Sequence, residues 1–281
     1  MTYLLIGGTG KTASRLAALL SAAGKPFILT SRRGPEAAPK GQTAIAFDWT
    51  DESTWPNAFE KEPIEAIYLM PPPIDKPWVP MIKYVDYAKA KGAKFFVLCA
   101  GTTAVLGQDG MGRVWEHFVN AGVDYAVLRP SWFMENLVEP GPAYTIGQLN
   151  SLFSATQDGE IPFISADDIA NVAYHVLTGG KTHNRDYRIL GPRNLTYDDV
   201  AAILTKVLGR EIKHVKLDQA ARVQGLVQAG LSEHYATFFA GIELLAAQGV
   251  EKAESDDVLT ITGQAPKSFE AFAEENKAVW S

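Results

Sequence analysis

Two groups of residues in this chain have types and spacings that point to chemistry. The first is the turn Gly7-Gly8-Thr9-Gly10-Lys11-Thr12-Ala13, whose glycines let backbone N–H groups approach an anion closely. A P-loop needs a glycine five positions before Gly10; that position holds Leu5, so the Walker pattern fails despite the Gly10-Lys11-Thr12 ending. Gly7-x-x-Gly10-x-x-Ala13 instead fits a variant dinucleotide fingerprint, in which the last small residue permits close helix–strand packing. Thr9, Lys11 and Thr12 join Gly7 and Gly10 as candidate cofactor-binding residues. The second group, Ser31-Arg32-Arg33, stands roughly 20 positions beyond the glycines, where an NAD-preferring site carries an acidic residue. A carboxylate would repel a 2′-phosphate, whereas guanidinium groups and a hydroxyl bind it, so NADP(H) is the expected cofactor.

Those residues need a frame that holds them at one edge. Tyr3–Ile6 reads as a buried strand, and Ala13, Leu16, Ala17 and Leu20 recur on one face of the helix after the turn. Phe27–Thr30 reads as a second strand and Thr43–Phe47 as a third, leading into Asp48. That carboxylate suits either an adenine amino group or the cap of the following helical turn. Ile64–Met70 is a fourth strand stopped by Pro71-Pro72-Pro73, which puts Met70 and Pro71 on the crevice where open α/β sheets bind ligands. Trp78–Lys91 is a helix with Met81, Val85 and Ala88 on one face. Phe95–Cys99 is a continuous apolar strand, and its end adds Cys99 and Ala100 to the cofactor candidates. With no basic neighbour, Cys99 reads as a small core residue and not as a nucleophile.

A further helix includes Arg113–Phe118, and a sixth strand, Tyr125–Leu128, ends in Arg129-Pro130. This repeated alternation predicts an α/β fold, a Rossmann-type doubly wound parallel sheet. Ala166–Leu177 reads as a helix, Tyr187–Leu190 as a last strand, and Thr196–Leu208 as a helix closed by Gly209. The expected division is an NADP-binding Rossmann domain over 1–135 with 160–190. A smaller, mainly helical substrate-covering region takes 136–159 with 191–281.

Composition limits the function classes. The 281 residues are 47% hydrophobic, ordinary for a globular chain with a sizeable core. A formal net charge of −6 argues against nucleic acid as a partner, and makes Arg32-Arg33 a local feature rather than part of a basic face. No apolar run approaches the ~18 residues of a membrane span, and the apolar start is a strand rather than a signal core, so no membrane partner is expected. The single cysteine, Cys99, excludes an internal disulfide and fits a reducing, cytoplasmic setting. The five histidines lack ligand-spaced companions, so no metal site is expected. The expected partner is a small-molecule substrate, with a homodimer compatible with the reading.

The residues also resemble a known group. Gly7-x-x-Gly10-x-x-Ala13 with Arg32, the block Leu128-Arg129-Pro130-Ser131-Trp132-Phe133-Met134-Glu135-Asn136, and Asp167-Asp168-Ile169-Ala170 look like the NmrA-like branch of atypical short-chain dehydrogenases/reductases. Within it, the opening Gly-Gly-Thr-Gly-Lys-Thr-Ala-Ser-Arg and Glu52-Ser53-Thr54-Trp55 look most like fungal ergot-alkaloid enzymes of the festuclavine/agroclavine dehydrogenase type. The resemblance covers nearly the whole chain. It implies an NADPH-dependent reductase that delivers hydride to an imine or iminium carbon of a small indole-alkaloid substrate.

One departure from the wider superfamily constrains that chemistry. Typical members carry Tyr-x-x-x-Lys after the fifth strand, yet this chain has no tyrosine between Tyr87 and Tyr125. Setting Arg113-x-x-Glu116 against the Lys-x-x-Glu of NmrA-like proteins puts Asp109 and Arg113 at the Tyr and Lys positions, as catalytic candidates. Hydride addition to an iminium gives a neutral amine without a proton donor, so the missing tyrosine is compatible with iminium reduction. His117, Trp132, Phe133 and Tyr144 are the candidate substrate residues, an acid and three aromatic walls. The same missing tyrosine leaves open a non-redox cyclase or isomerase that holds NADP, or an NADP-binding redox-sensing regulator.

Overall fold

A computed structural model describes residues 2–39 and 41–281. The elements run β1 (Thr2–Leu5), α1 (Lys11–Ala22), β2 (Phe27–Ser31), β3 (Ala44–Ala46), α2 (Pro56–Phe59), β4 (Ile64–Leu69), α3 (Trp78–Ala90) and β5 (Phe95–Cys99). They continue through α4 (Met111–Ala121), β6 (Asp124–Pro130), α5 (Pro140–Leu149), β7 (Ser151–Ser154), α6 (Ala166–Thr178), β8 (Arg185–Ile189) and α7 (Tyr197–Leu208). The last are β9 (Lys213–Lys216), α8 (Gln219–Gln228), α9 (Glu233–Ala247), α10 (Asp257–Thr262) and α11 (Phe269–Trp280). The chain divides into two compact units, 1–130 with 166–189 and 257–263, and 131–165 with 190–256 and 264–281.

The first unit is a seven-stranded sheet in the order β3-β2-β1-β4-β5-β6-β8, with every pair parallel. This is the Rossmann-type α/β fold expected from the alternating pattern. Its strands are nearly continuous apolar runs because helices cover both faces. On α1 the expected face, Ala13, Leu16, Ala17 and Leu20, is buried, joined by Thr12. Near the β3 edge, Phe47, Trp49 and Trp55 meet Tyr84 of α3 edge-to-face, with ring centroids 5.1 to 5.5 Å apart. Such pairs each add ~0.5–1.5 kcal/mol beyond their burial. The helix α10, which the sequence pattern grouped with 191–281, lies in this unit: Asp257 accepts the Arg188 N–H at 2.7 Å.

The second unit is mainly helical, as the composition of its segments suggests, but it also holds a parallel pair, β7 with β9, in register from Ser151↔Lys213 to Ser154↔Lys216. Sequence reading ended the strands at Leu190; Lys213-His214-Val215-Lys216 is too short and polar to stand out. Thr196 caps α7 through a reciprocal capping box with Asp199, and Gly209 ends it with a positive φ. Trp280 is fully buried and its indole N–H donates to the Leu137 carbonyl at 2.9 Å, tying the end of α11 to this unit's core.

Candidate functional site

The sheet order reverses direction between β1 and β4, and the glycine turn leaves the carboxyl end of β1 at that switch point. Gly7 has φ 78°, a left-handed conformation that favours glycine, and a Cβ placed on it would lie 3.0 Å from Cβ of Met70. The structure thus brings Met70 against the turn. A Cβ on Gly8 would lie 2.9 Å from Cβ of Leu29, so the turn rests directly on β2. Thr30 holds it there: its carbonyl accepts the Gly8 N–H at 3.1 Å and its hydroxyl accepts the Gly7 N–H at 3.2 Å. Sequence reading passed over Gly8 and Thr30; the signal available was a threonine in an apolar strand one residue before Ser31.

Gly10 is the N-cap of α1, with no side-chain cap and no acidic residue in the first turn. Helix geometry leaves the Thr12 and Ala13 amides without intrahelical acceptors, at the positive end of the helix dipole. Thr9 and Gly10 are exposed and Lys11 is half-buried beside that opening. Arg15, one turn on, pairs with Asp167 of α6 at 2.6 Å, which fixes the helix from its outer side.

At the end of β2, Arg32 and Arg33 are exposed, and among the described residues neither guanidinium has a hydrogen bond or ion pair. Ser31 shapes this loop by accepting the Arg33 N–H at 3.2 Å. Asp48, after β3, is held by Thr50: its Oδ1 accepts the Thr50 amide at 2.8 Å and hydroxyl at 2.7 Å. Those bonds, with the positive charge of Arg32, keep its carboxyl below the usual range. Of its two expected uses, Asp48 therefore shapes the turn with one oxygen, while Asp51 caps the helical turn itself. A cluster of first-turn amides with unpaired guanidinium groups at the next strand end fits a diphosphate carrying a further phosphate.

Other candidates near the turn offer a ligand less than their positions suggest. The Thr12 side chain points into the core, where its hydroxyl lies 2.8 Å from the Tyr68 hydroxyl, leaving only its amide for a ligand. Cys99 is buried and burial pushes its thiol up to about 11, so its side chain is the small core group its strand predicts. The Ala100 amide donates to the Leu128 carbonyl at 2.8 Å and is occupied by the sheet. Pro71 follows Met70 and has no N–H to offer.

Asp109 and Arg113 form an exposed ion pair at 3.2 Å, with Glu116 3.8 Å from the same guanidinium. They come together at the start of α4, and each charge is partly compensated by the other. His117 is engaged instead by Asp86 of α3, Nε2 to Oδ1 2.7 Å, an inter-helix link that spacing along one helix does not reveal. In the second unit, Trp132 packs edge-on against Phe163 and Tyr197, at 6.4 and 6.3 Å between centroids, as part of the core margin. Phe133 makes a backbone bridge to Ile164, and Tyr144 on α5 is 59% exposed.

A Ser-His-Asp succession also occurs in that unit: Ser154 to His214 at 2.8 Å and His214 to Asp198 at 2.9 Å. Its burial is opposite to that of a hydrolase triad. Ser154 is wholly enclosed while Asp198 is half exposed, so the serine is out of reach of a substrate and the trio serves to join β7, β9 and α7.

No family model matches the chain. It is 42% identical to the agroclavine dehydrogenase of Claviceps fusiformis over 288 residues, covering 100% of this chain and 99% of that one. It is 43% identical to the festuclavine dehydrogenase of Aspergillus fumigatus over 289 residues, with the same coverage. The fold is shared with an NADPH-dependent quinone oxidoreductase of Escherichia coli solved with NADPH, at TM-score 0.83 and 22% identity, over 98% of this chain and 99% of that one. Full-length identity at this level, on the same Rossmann-type frame, makes the chain a member of the family of agroclavine and festuclavine dehydrogenases, a family of oxidoreductases.

Proposed function

We propose that this chain is an NADPH-dependent reductase that delivers hydride to the imine or iminium carbon of a small indole-alkaloid-type substrate. The observation that carries the reading is the full-length kinship, 42% and 43%, to enzymes named as agroclavine and festuclavine dehydrogenases. The site chemistry supports it. The amides of Thr12 and Ala13 at the start of α1, with the turn from Gly7 to Gly10, would hold the diphosphate, and Arg32, seconded by Ser31 and Arg33, would hold the 2′-phosphate. Bound NADPH supplies the hydride.

The protein's own task is then to orient and to balance charge. An iminium carbon accepts hydride and becomes a neutral amine carbon, so no group need deliver a proton to the reacting atom. This agrees with a chain that has no tyrosine between Tyr87 and Tyr125. Asp109 and Glu116 flank one guanidinium, Arg113, giving the start of α4 two carboxylates for one cation. That excess negative charge would favour a cationic substrate over a neutral ketone. The test is hydride stoichiometry: with a cyclic iminium of the clavine type, one NADPH should be oxidised for each amine formed. Product without NADPH loss would instead favour the cyclase or isomerase reading, and NADP binding with no product the regulator.

A further inference from the structure

We infer that Tyr68 is a positioning residue for the diphosphate of the nucleotide, acting through Thr12 on the first turn of α1. The inference rests on the dinucleotide reading of that turn. Tyr68 lies near the carboxyl end of β4, paired with Leu5 of β1, and is wholly buried. Its hydroxyl is 2.8 Å from Oγ1 of Thr12, itself 0% exposed. Either hydroxyl can donate to the other. One pair of neutral groups therefore links α1 to β4. Burial keeps it neutral, raising the Tyr68 hydroxyl well above its ordinary range.

An apolar pair of the same shape would fill this space about as well. What the hydrogen bond adds is direction. Thr12 is the second residue of α1, so its side chain faces the sheet while its amide faces out of the helix end. Anchoring that side chain to the carboxyl end of β4 fixes the rotation of the first turn, and with it the aim of the Thr12 and Ala13 amides. Donors to an anion must be held to within ~0.5 Å to keep their effect. Gly7 and Gly8 are braced on Met70 and Thr30, so the turn and the helix start have separate anchors.

The test compares two ligands by calorimetric titration: NADPH, and 2′-AMP, which lacks the diphosphate. Tyr68→Phe should raise the Kd for NADPH by about tenfold and leave that for 2′-AMP unchanged, as the loss of one buried hydrogen-bond anchor implies. Thr12→Val should match it, Thr12→Ser should restore wild-type binding, and the double variant should be no weaker than either single one. If Tyr68→Phe does not fold, the Thr12→Val and Thr12→Ser pair carries the test alone. Wild-type protein that binds NADPH as tightly as Tyr68→Phe or Thr12→Val do overturns the inference, as does an equal loss for both ligands. Wild-type protein that binds neither ligand overturns the dinucleotide reading and the inference with it.

Discussion

The polar groups buried behind the glycine turn and those buried around β7 are built in opposite ways. Behind the turn, the groups that hold Gly7, Gly8 and Thr12 are hydroxyls and a backbone carbonyl, all neutral. Around β7, the interior is ionic. Glu243 is 5% exposed, takes three bonds from Arg222 at 2.7 to 2.9 Å, and accepts the Ala155 amide at 2.7 Å. His214 is enclosed between Ser154 and Asp198, and Lys216 pairs with Asp158 and Asp198. A neutral bracket leaves the positive end of α1 uncompensated for an arriving anion, whereas an ion pair neutralises itself and binds only its own neighbours. The difference separates a surface kept ready for a ligand from an interior that holds the protein's own elements together.

The largest effect is expected where one half of a buried pair is removed. Glu243→Ala leaves Arg222 and the Ala155 amide without a partner, and should cost ~3–5 kcal/mol in urea unfolding, toward the lower end because Arg222 is partly exposed. A change below about 1 kcal/mol would remove the contrast, since it would make the ionic interior energetically idle. Next comes the ligand side. Arg32→Ala should weaken NADPH by about ten- to a hundredfold while changing NADH little, as expected for a charge-assisted bond to the 2′-phosphate. Equal weakening of both nucleotides would take Arg32 out of that role and leave Ser31 and Arg33 as its holders.

The smallest expected effect is on pH dependence. Burial lowers the pKa of His214 against the opposing pull of Asp198, with Lys216, Asp158 and the Tyr197 ring also facing it. The unfolded chain therefore takes up the proton first, so it holds more protons than the native state at acid pH. The stabilisation from neutral His214 is complete above the ordinary histidine value of about 6.5 and is lost as pH falls below it toward the folded value. Unfolding free energies measured from about pH 7 to 5 should fall, and His214→Asn should flatten that slope. An unchanged slope would assign the pH dependence to other groups and sharpen the picture of β7–β9 as held by Glu243 and Arg222.

Much of this molecule is written in local pattern. Apolar strands, the amphipathic face of α1, the glycine spacing that rules out a P-loop, and the arginines at the end of β2 are legible because each depends on neighbours within a turn or a strand. The same holds for the closing of α7 at Gly209 and for the stop at Pro71. What the tertiary structure alone decided are pairings between residues far apart in the chain: Tyr68 with Thr12, His117 with Asp86, Glu243 with Arg222, and β7 with β9. Spacing along one element says nothing of which side chain will face it from another. So Thr12, read from the sequence as a ligand of the cofactor, proves to turn its side chain inward, while Cys99 takes the core place its apolar strand predicts. The turn itself, legible from its glycines, is held by Thr30, and the start of α1 by Tyr68, contacts that become visible only when the strands are side by side.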